Sequence, residues 1–312
     1  GDWFRQPALA RTLTRVSKRG AKYMYRQGWA RKFLAAVRGE GGRITRADLR
    51  AYEPTWLEPT SFEYDGRTVH GPALPGAGGP HLKGALAALD PDALRAAGSY
   101  EESADALAMM LESVEHRLDA LRMAGSHSDG VVTVDAAGNV AALLHTINTD
   151  LWGSLGLFVD GIPVADVGCW AQAGIERAGP GGRLETPDNP LIVTRRGVPV
   201  AASSSIGSGL YPATLFSLVN LLSYRMSPGE AVATPVFHQA RFDDSGVTHR
   251  VTQGEFAASL LAAVRSRGYT IEEHPEPHGH LGHWVGLQID PASGLRSAAT
   301  GKRLNGLALA QE

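Results

Sequence analysis

The chain has 312 residues, 43% of them apolar and 20% charged, with 32 acidic residues against 30 basic ones. This is a globular composition with enough apolar side chains for a sizeable core, and its near-neutral balance argues against a nucleic-acid binder that works through a basic face. A single cysteine, Cys169, excludes an internal disulfide and a Cys-rich zinc module, and no apolar run reaches the ~20 residues a membrane helix needs. The chain opens Gly1-Asp2-Trp3 with neither Met nor signal peptide, so it reads as a piece of something longer; any targeting region would precede Gly1, and the compartment stays open.

The first third reads as helical. Pro7 suits the first position of a helix, Leu9, Leu13 and Val16 follow at helical spacing, and Gly20 is a stop. A second helix is predicted around Trp29–Val37, ending at the stretch Gly39–Gly42, and Thr45 can cap a short helix through Arg50. Extended segments are expected near Ser61–Tyr64 and Thr68–Gly71, then a Gly/Pro loop from Pro72 to Pro80. One long helix is predicted from Tyr100 to Met123, with Leu107, Met110, Leu111, Val114, Leu118 and Leu121 along one stripe. The remainder is β-rich. Val131–Asp135 and Val140–Asn148 flank the turn signal Ala136-Ala137-Gly138-Asn139; Leu191–Thr194 and Val198–Ser203 flank Arg196-Gly197; Trp284–Asp290 and Leu295–Ala299 flank Pro291–Gly294. Tyr211–Tyr224 and Glu255–Arg267 read as helices. Helical layers combined with antiparallel hairpins predict a layered α+β domain without internal repeats.

Common motifs are absent. Gly78-Gly79-Pro80-His81-Leu82-Lys83-Gly84 has glycines and a lysine but not the order of a phosphate-binding loop, and there is no G-x-S-x-G elbow. His274, His278, His280 and His283 lie in a Pro/Gly-rich stretch and read as loop histidines rather than a metal site. No cofactor is expected.

The informative segment is Gly125-Ser126-His127-Ser128-Asp129-Gly130, continuing through Asp135-Ala136-Ala137-Gly138-Asn139-Val140. It resembles the start of the small subunit of the γ-glutamyltransferase family, where a Thr or Ser opens a strand seven residues before an Asp that begins a D-x-x-G-N hairpin. The match places Ser128 at the nucleophile position, with Ser126 the rival. Thr146-Ile147-Asn148 resembles the family's T-x-N motif. Arg5-Gln6-Pro7 with Leu9-Ala10, Gly42 to Leu49 with Ala51-Tyr52, Gly71-Pro72 to Gly79, and Arg241-Phe242 resemble further family stretches in the same order.

The family belongs to the N-terminal-nucleophile hydrolases, so the resemblance implies a four-layer αββα sandwich and a precursor that cuts itself before the nucleophile. It implies residues 1–127 as the C-terminal part of a large subunit and 128–312 as the small subunit, the two assembling with each other. The implied chemistry has a plain physical basis. A hydroxyl is a weak nucleophile until a base takes its proton, and cleavage before Ser128 would free an α-amine of pKa roughly 7.7–8.0, suited to that task. By resemblance Thr146 supports the nucleophile, Gly207 and Ser208 supply oxyanion-hole N–H groups, Asn148 and Asp166 contact the substrate's amino-acid end, and Thr186 stands in a pair that holds its carboxylate. The sequence departs from the family there: Thr186-Pro187 replaces Ser-Ser, Asp188 follows, and Ser208 replaces a glycine. A proline has no N–H to donate, and an aspartate repels a carboxylate. The implied substrates are therefore γ-glutamyl amides such as glutathione, or a different acyl amide of specialised metabolism. The alternative is a relative that keeps the fold without catalysis and acts as a binding or assembly module.

Overall fold

The computed structural model describes residues 3–116, 128–147, 155–165, 168, 171–275, 282–301 and 306–310. In chain order the elements are α1 (Pro7–Arg19), α2 (Lys22–Arg26), α3 (Gly28–Gly39), α4 (Arg46–Ala51), β1 (Thr60–Tyr64), β2 (Arg67–Gly71), α5 (Gly78–Ala87), α6 (Pro91–Ala97) and α7 (Ala104–Glu115). There follow β3 (Ser128–Val134), β4 (Val140–Thr146), β5 (Phe158–Val159), β6 (Ile162–Pro163), α8 (Gln172–Ala178), β7 (Leu191–Arg195), β8 (Val198–Ile206), α9 (Leu210–Leu222) and α10 (Pro228–Ala233). The last are β9 (Arg241–Asp243), β10 (Gly246–Thr252), α11 (Ala258–Arg265), β11 (Thr270–His274), β12 (His283–Ile289) and β13 (Arg296–Thr300). The chain is α+β and divides into two compact units, residues 1–56 with 149–173, and residues 57–148 with 174–312.

In the first unit α1 begins at Pro7 and stops before Gly20, which takes φ +64. Thr45 caps the N-terminus of α4 with a capping box: its Oγ1 accepts from the Asp48 N–H at 3.2 Å, and its own N–H donates to Asp48 Oδ2 at 2.8 Å. The β5–β6 turn is tied to the helices through the Asp160 carbonyl, which accepts from Thr12 Oγ1 at 2.8 Å, and through the Val159 carbonyl, which accepts from Trp29 Nε1 at 3.1 Å.

The second unit carries the large core. Its main sheet has six strands in the order β1-β2-β7-β8-β12-β13, all neighbours antiparallel. From Val200 to Ser205, β8 is buried without a break. A continuous buried run in a strand means that both faces are covered, and the side chains show by what. Ser205 Oγ accepts from Thr214 of α9 at 2.7 Å, while Ser204, pointing the opposite way, lies with Val285 of β12 against Gly130 of β3. Helices thus cover one face of the sheet and the β3–β4 hairpin covers the other. All thirteen residues of α9 are buried, among them Phe216, Leu218 and Val219. Each such Leu or Phe contributes roughly 1.5–3 kcal/mol by leaving water. A smaller sheet, β11-β10-β9, pairs β10 with β11 in parallel across the α11 connection.

Most predicted elements are present, and three segments differ. The Pro72–Pro80 loop ends early, because Gly78 and Gly79 already begin α5. The helix predicted from Tyr100 starts at Ala104: Ser103 caps it, accepting from the Ala106 N–H at 3.3 Å, and Tyr100 lies in the preceding turn. Its predicted extension past His116 lies outside the described residues. The parallel β10–β11 pairing has no hairpin signal to announce it.

Candidate functional site

The strand β3 starts at Ser128 and β4 ends at Thr146, and the two residues face each other across the antiparallel pair. The turn that sets this register is built from the D-x-x-G-N stretch. Asp135 Oδ1 accepts from the Asn139 N–H and Asp135 Oδ2 from Asn139 Nδ2, both at 2.8 Å, while Gly138 takes φ +85. The Asn139 side chain, followed by its backbone N–H, holds the Asp135 carboxyl below the usual range. From that turn inward, pairing proceeds without a slip to Ser128 and Thr146.

Alternation assigns the faces. Ser128, Gly130, Val132 and Val134 are half-buried, whereas Asp129, Val131 and Thr133 are exposed. On β4 the inward residues are Val140, Ala142, Leu144 and Thr146. Ser128 and Thr146 therefore share the face that packs on the six-stranded sheet. A side chain at Gly130 would put its Cβ 3.1 Å from Ser204 Oγ and 3.3 Å from Val285 Cγ1, so β3 approaches the sheet closely. That contact lies two residues from Ser128 and three residues before Gly207, and it ties the hairpin to the strand that leads into the Gly207-Ser208-Gly209 loop. Asp129 and His145 are opposed on the outer face, 4.0 Å apart and exposed.

The loop has its own geometry. Gly207 takes φ +84, a left-handed conformation that side chains resist, and it turns the chain out of β8 and into α9. Gly209 caps α9, and its carbonyl accepts from the Ala213 N–H at 3.1 Å. Gly282, just before β12, presses on the same point: a Cβ there would sit 2.0 Å from the Gly209 oxygen.

Thr186 lies beside the Gly/Pro loop. Its N–H donates to the Pro75 carbonyl and its carbonyl accepts from the Ala77 N–H, both at 2.8 Å. Its hydroxyl donates to Asp188 Oδ2 at 2.8 Å. Burial pushes the Asp188 carboxyl above the ordinary range, with the Thr186 hydrogen bond pulling weakly the other way. Gly78 and Gly79 are steric requirements of this region. A Cβ on Gly78 would meet the Asp188 oxygen at 2.2 Å, and one on Gly79 would meet the Pro72 oxygen at 2.2 Å.

Of the site residues expected from sequence, Ser128 and Thr146 are brought face to face, Gly207 and Ser208 form the turn beyond β8, and Thr186 sits against the Pro72–Gly79 stretch. Asn148, Asp166 and Ser126 lie outside the described residues, as do His278 and His280. Among the described residues no group of three or more His, Cys, Asp or Glu side chains could hold a metal, and no helix is long and apolar enough to cross a membrane. Sequence reasoning missed Asn189. It is fully buried and bonded to both β8 and α9, and its only sequence signal is an Asn-Pro pair directly before a strand.

The family model for Gamma-glutamyltranspeptidase matches residues 1–146. The chain is 26% identical over 306 residues to a glutathione hydrolase proenzyme of Pseudomonas sp. (strain A14), covering 78% of this chain and 53% of that protein. It is 23% identical over 348 residues to the acylase ACY 1 proenzyme of Pseudomonas sp. (strain V22), covering 94% of this chain and 59% of that one. It thus spans between half and three fifths of the length of these relatives. Among solved structures, cephalosporin acylase from Bacillus halodurans superposes with a TM-score of 0.77 at 20% identity, over 100% of this chain and 64% of that one. At that identity the likeness establishes a shared fold.

Proposed function

We propose that the chain, whose residues 1–146 match the family model for Gamma-glutamyltranspeptidase, is a member of that family and a self-processing amide hydrolase or acyl transferase working through an acyl-enzyme on Ser128. The observation that carries this reading is the opposition of Ser128 and Thr146 on the inward face of the β3–β4 hairpin.

In the processing step Ser128 Oγ attacks the carbonyl carbon of residue 127. The bond to the Ser128 nitrogen breaks, the hydroxyl proton passes to that nitrogen, and water hydrolyses the ester that remains. The freed α-amine is then the base for turnover. It takes the proton of Oγ as Oγ attacks the substrate carbonyl, and it gives that proton to the departing amine. Water or a second amine resolves the ester. One residue supplies nucleophile and base, so no histidine is needed. The Thr146 hydroxyl orients Oγ from across the strand pair. Backbone N–H groups of Gly207 and Ser208 receive the developing oxyanion, a role worth roughly 3 kcal/mol per donor. Residues 1–127 are then the C-terminal part of the large subunit and 128–312 the small subunit of one precursor, the two remaining assembled after the cut.

The relatives are named as a glutathione hydrolase and an acylase, which frames the substrate as a γ-glutamyl or other acyl amide. Three features favour an acyl donor without a free carboxylate at its head. The Thr186 hydroxyl is committed to Asp188, Pro187 offers no N–H, and Asp188 adds an acidic group where a carboxylate would dock.

The test is a denaturing gel of the purified full-length protein beside Ser128→Ala. Wild type is expected to split into two fragments, the smaller beginning Ser-Asp-Gly, and Ser128→Ala to stay whole. A small fragment beginning Ser-His-Ser moves the nucleophile to Ser126. An intact wild type that Ser128→Ala matches in assays against γ-glutamyl and simple acyl p-nitroanilides makes the protein a non-catalytic binding module instead.

A further inference from the structure

We propose that Asn189 is a positioning residue that sets the Gly207–Gly209 loop by clamping its two ends from inside the core. Its functional consequence rests on the reading of that loop as the oxyanion site.

The position of Asn189 follows from sheet register. In the β7–β8 ladder Leu191 pairs with Ser203, so the same antiparallel register places residue 190 opposite Ser204 and residue 189 opposite Ser205. Pro190 has no N–H and ends the ladder. Asn189 continues it by other means: its side-chain Oδ1 accepts from the Ser205 N–H at 3.2 Å, where a backbone carbonyl would otherwise serve. The opposite end of the same amide holds α9. Nδ2 donates to Thr214 Oγ1 at 2.6 Å and to the Leu210 carbonyl at 3.4 Å. Thr214 closes the ring, its Oγ1 lying 2.7 Å from Ser205 Oγ and 2.8 Å from the Leu210 carbonyl.

Ser205 stands two residues before Gly207, and Leu210 follows Gly209 directly. One planar amide therefore fixes both ends of the six-residue segment Ser205–Leu210 with groups it cannot rotate independently. Asn189 and Thr214 are both fully buried, so each bond is made away from water, where a polar group left without its partner is penalised by its full desolvation. Asn189 is itself braced from behind: a Cβ on Gly78 of α5 would fall 2.6 Å from Asn189 Cβ. An aliphatic residue could fill this space. An amide offers an acceptor to the strand and two donors to the helix, on opposite sides of one rigid plane. The clamp explains why a buried amide stands here, between the buried hydroxyls of Ser205 and Thr214.

The experiment compares wild type, Asn189→Ala, Thr214→Val, Thr214→Ser and Ser128→Ala. The first readout is native-state hydrogen exchange of the segment 205–210. Asn189→Ala and Thr214→Val are expected to exchange there at least ~10-fold faster while the β12 amides keep wild-type protection, and Thr214→Ser, which keeps the hydroxyl, to match wild type. The second is acyl-transfer kinetics. Misplaced donors are expected to lower kcat by about 10- to 100-fold with KM within about twofold, because the loop acts on the transition state and not on ground-state binding. Unchanged exchange at 205–210 in Asn189→Ala and Thr214→Val overturns the clamp. Altered exchange with unchanged kcat, or with a rise in KM alone, overturns its link to the oxyanion site. If Asn189→Ala does not fold, the Thr214→Val and Thr214→Ser pair decides by the same criteria. Ser128→Ala separates the two readings: activity that survives it defeats the proposed function, while the exchange result still judges the clamp.

Discussion

Ser128 and Thr146 are cross-strand partners, the first residue of β3 opposite the last residue of β4, both facing the six-stranded sheet. Directly opposed side chains in an antiparallel pair have Cβ atoms about 4.5–5.5 Å apart, within reach of a hydrogen bond between two short hydroxyl side chains. Thr146→Val keeps the β-branched shape and removes only the hydroxyl. It is expected to slow both self-cleavage and acyl transfer by about 10- to 100-fold, with a Tm close to wild type, whereas Thr146→Ser is expected to retain most of both. Time courses on denaturing gels, with kcat measured on the processed protein, check this. Wild-type rates in Thr146→Val would mean that the opposition serves strand pairing alone.

The pairing of these residues was legible in the sequence because it rests on local chemistry. An Asp-x-x-Gly-Asn turn fixes its own geometry through side-chain hydrogen bonds, and once a turn is fixed the register of its hairpin follows. The caps at Thr45 and the stop at Gly20 were legible for the same reason. The start of α7 was not, since the apolar stripe of a helix does not mark its end; Ser103 does, and it competes with an earlier start at Tyr100. Asn189 was not legible at all. Its partners are 16, 21 and 25 residues away, and nothing local distinguishes a buried amide from one in a turn. The parallel β10–β11 pair likewise depends on contacts across the α11 connection.

Asp188 predicts a pH dependence. Burial raises its carboxyl above the ordinary value, so the folded state holds the proton more tightly than the unfolded chain. Stability contributed by this group is then greatest at low pH and is lost as pH rises through the raised value. Asp188→Asn removes that loss while leaving an acceptor for the Thr186 hydroxyl. The variant is expected to melt at a higher temperature than wild type at pH 8, with the gap closing below the ordinary carboxylate range. Melting curves across pH 3–9 measure it. A gap that does not change with pH would show that Asp188 is not held preferentially in its neutral form. On the proposed function, the same variant is also expected to accept γ-glutamyl donors better than wild type, because a negative charge has been removed from the region of Thr186.

Gly78 and Gly138 separate two reasons for glycine. Gly138 has open space around its Cα but a φ of +85 in the β3–β4 turn, so Gly138→Ala is charged only for the left-handed backbone, about 1–2 kcal/mol. Gly78 has no such backbone demand. An added Cβ there would lie 2.2 Å from the Asp188 oxygen, 2.6 Å from Asn189 Cβ and 2.7 Å from Asn189 Cα. These neighbours cannot give way separately. The Gly78 N–H donates to that same Asp188 carbonyl at 3.1 Å, and Asn189 is held by its bonds to β8 and α9. Gly78→Ala is therefore expected to cost about 3 kcal/mol, at the upper end of overpacking, and to lower kcat by displacing Asn189. Gly138→Ala is expected to leave the kcat of processed protein within about twofold, since its strain stays in the turn. Denaturant unfolding of both variants, with kcat on the soluble fraction, discriminates. Equal losses of stability would mean that α5 shifts to admit the methyl, and a Gly78→Ala enzyme with wild-type kcat would uncouple the start of α5 from the loop beyond β8.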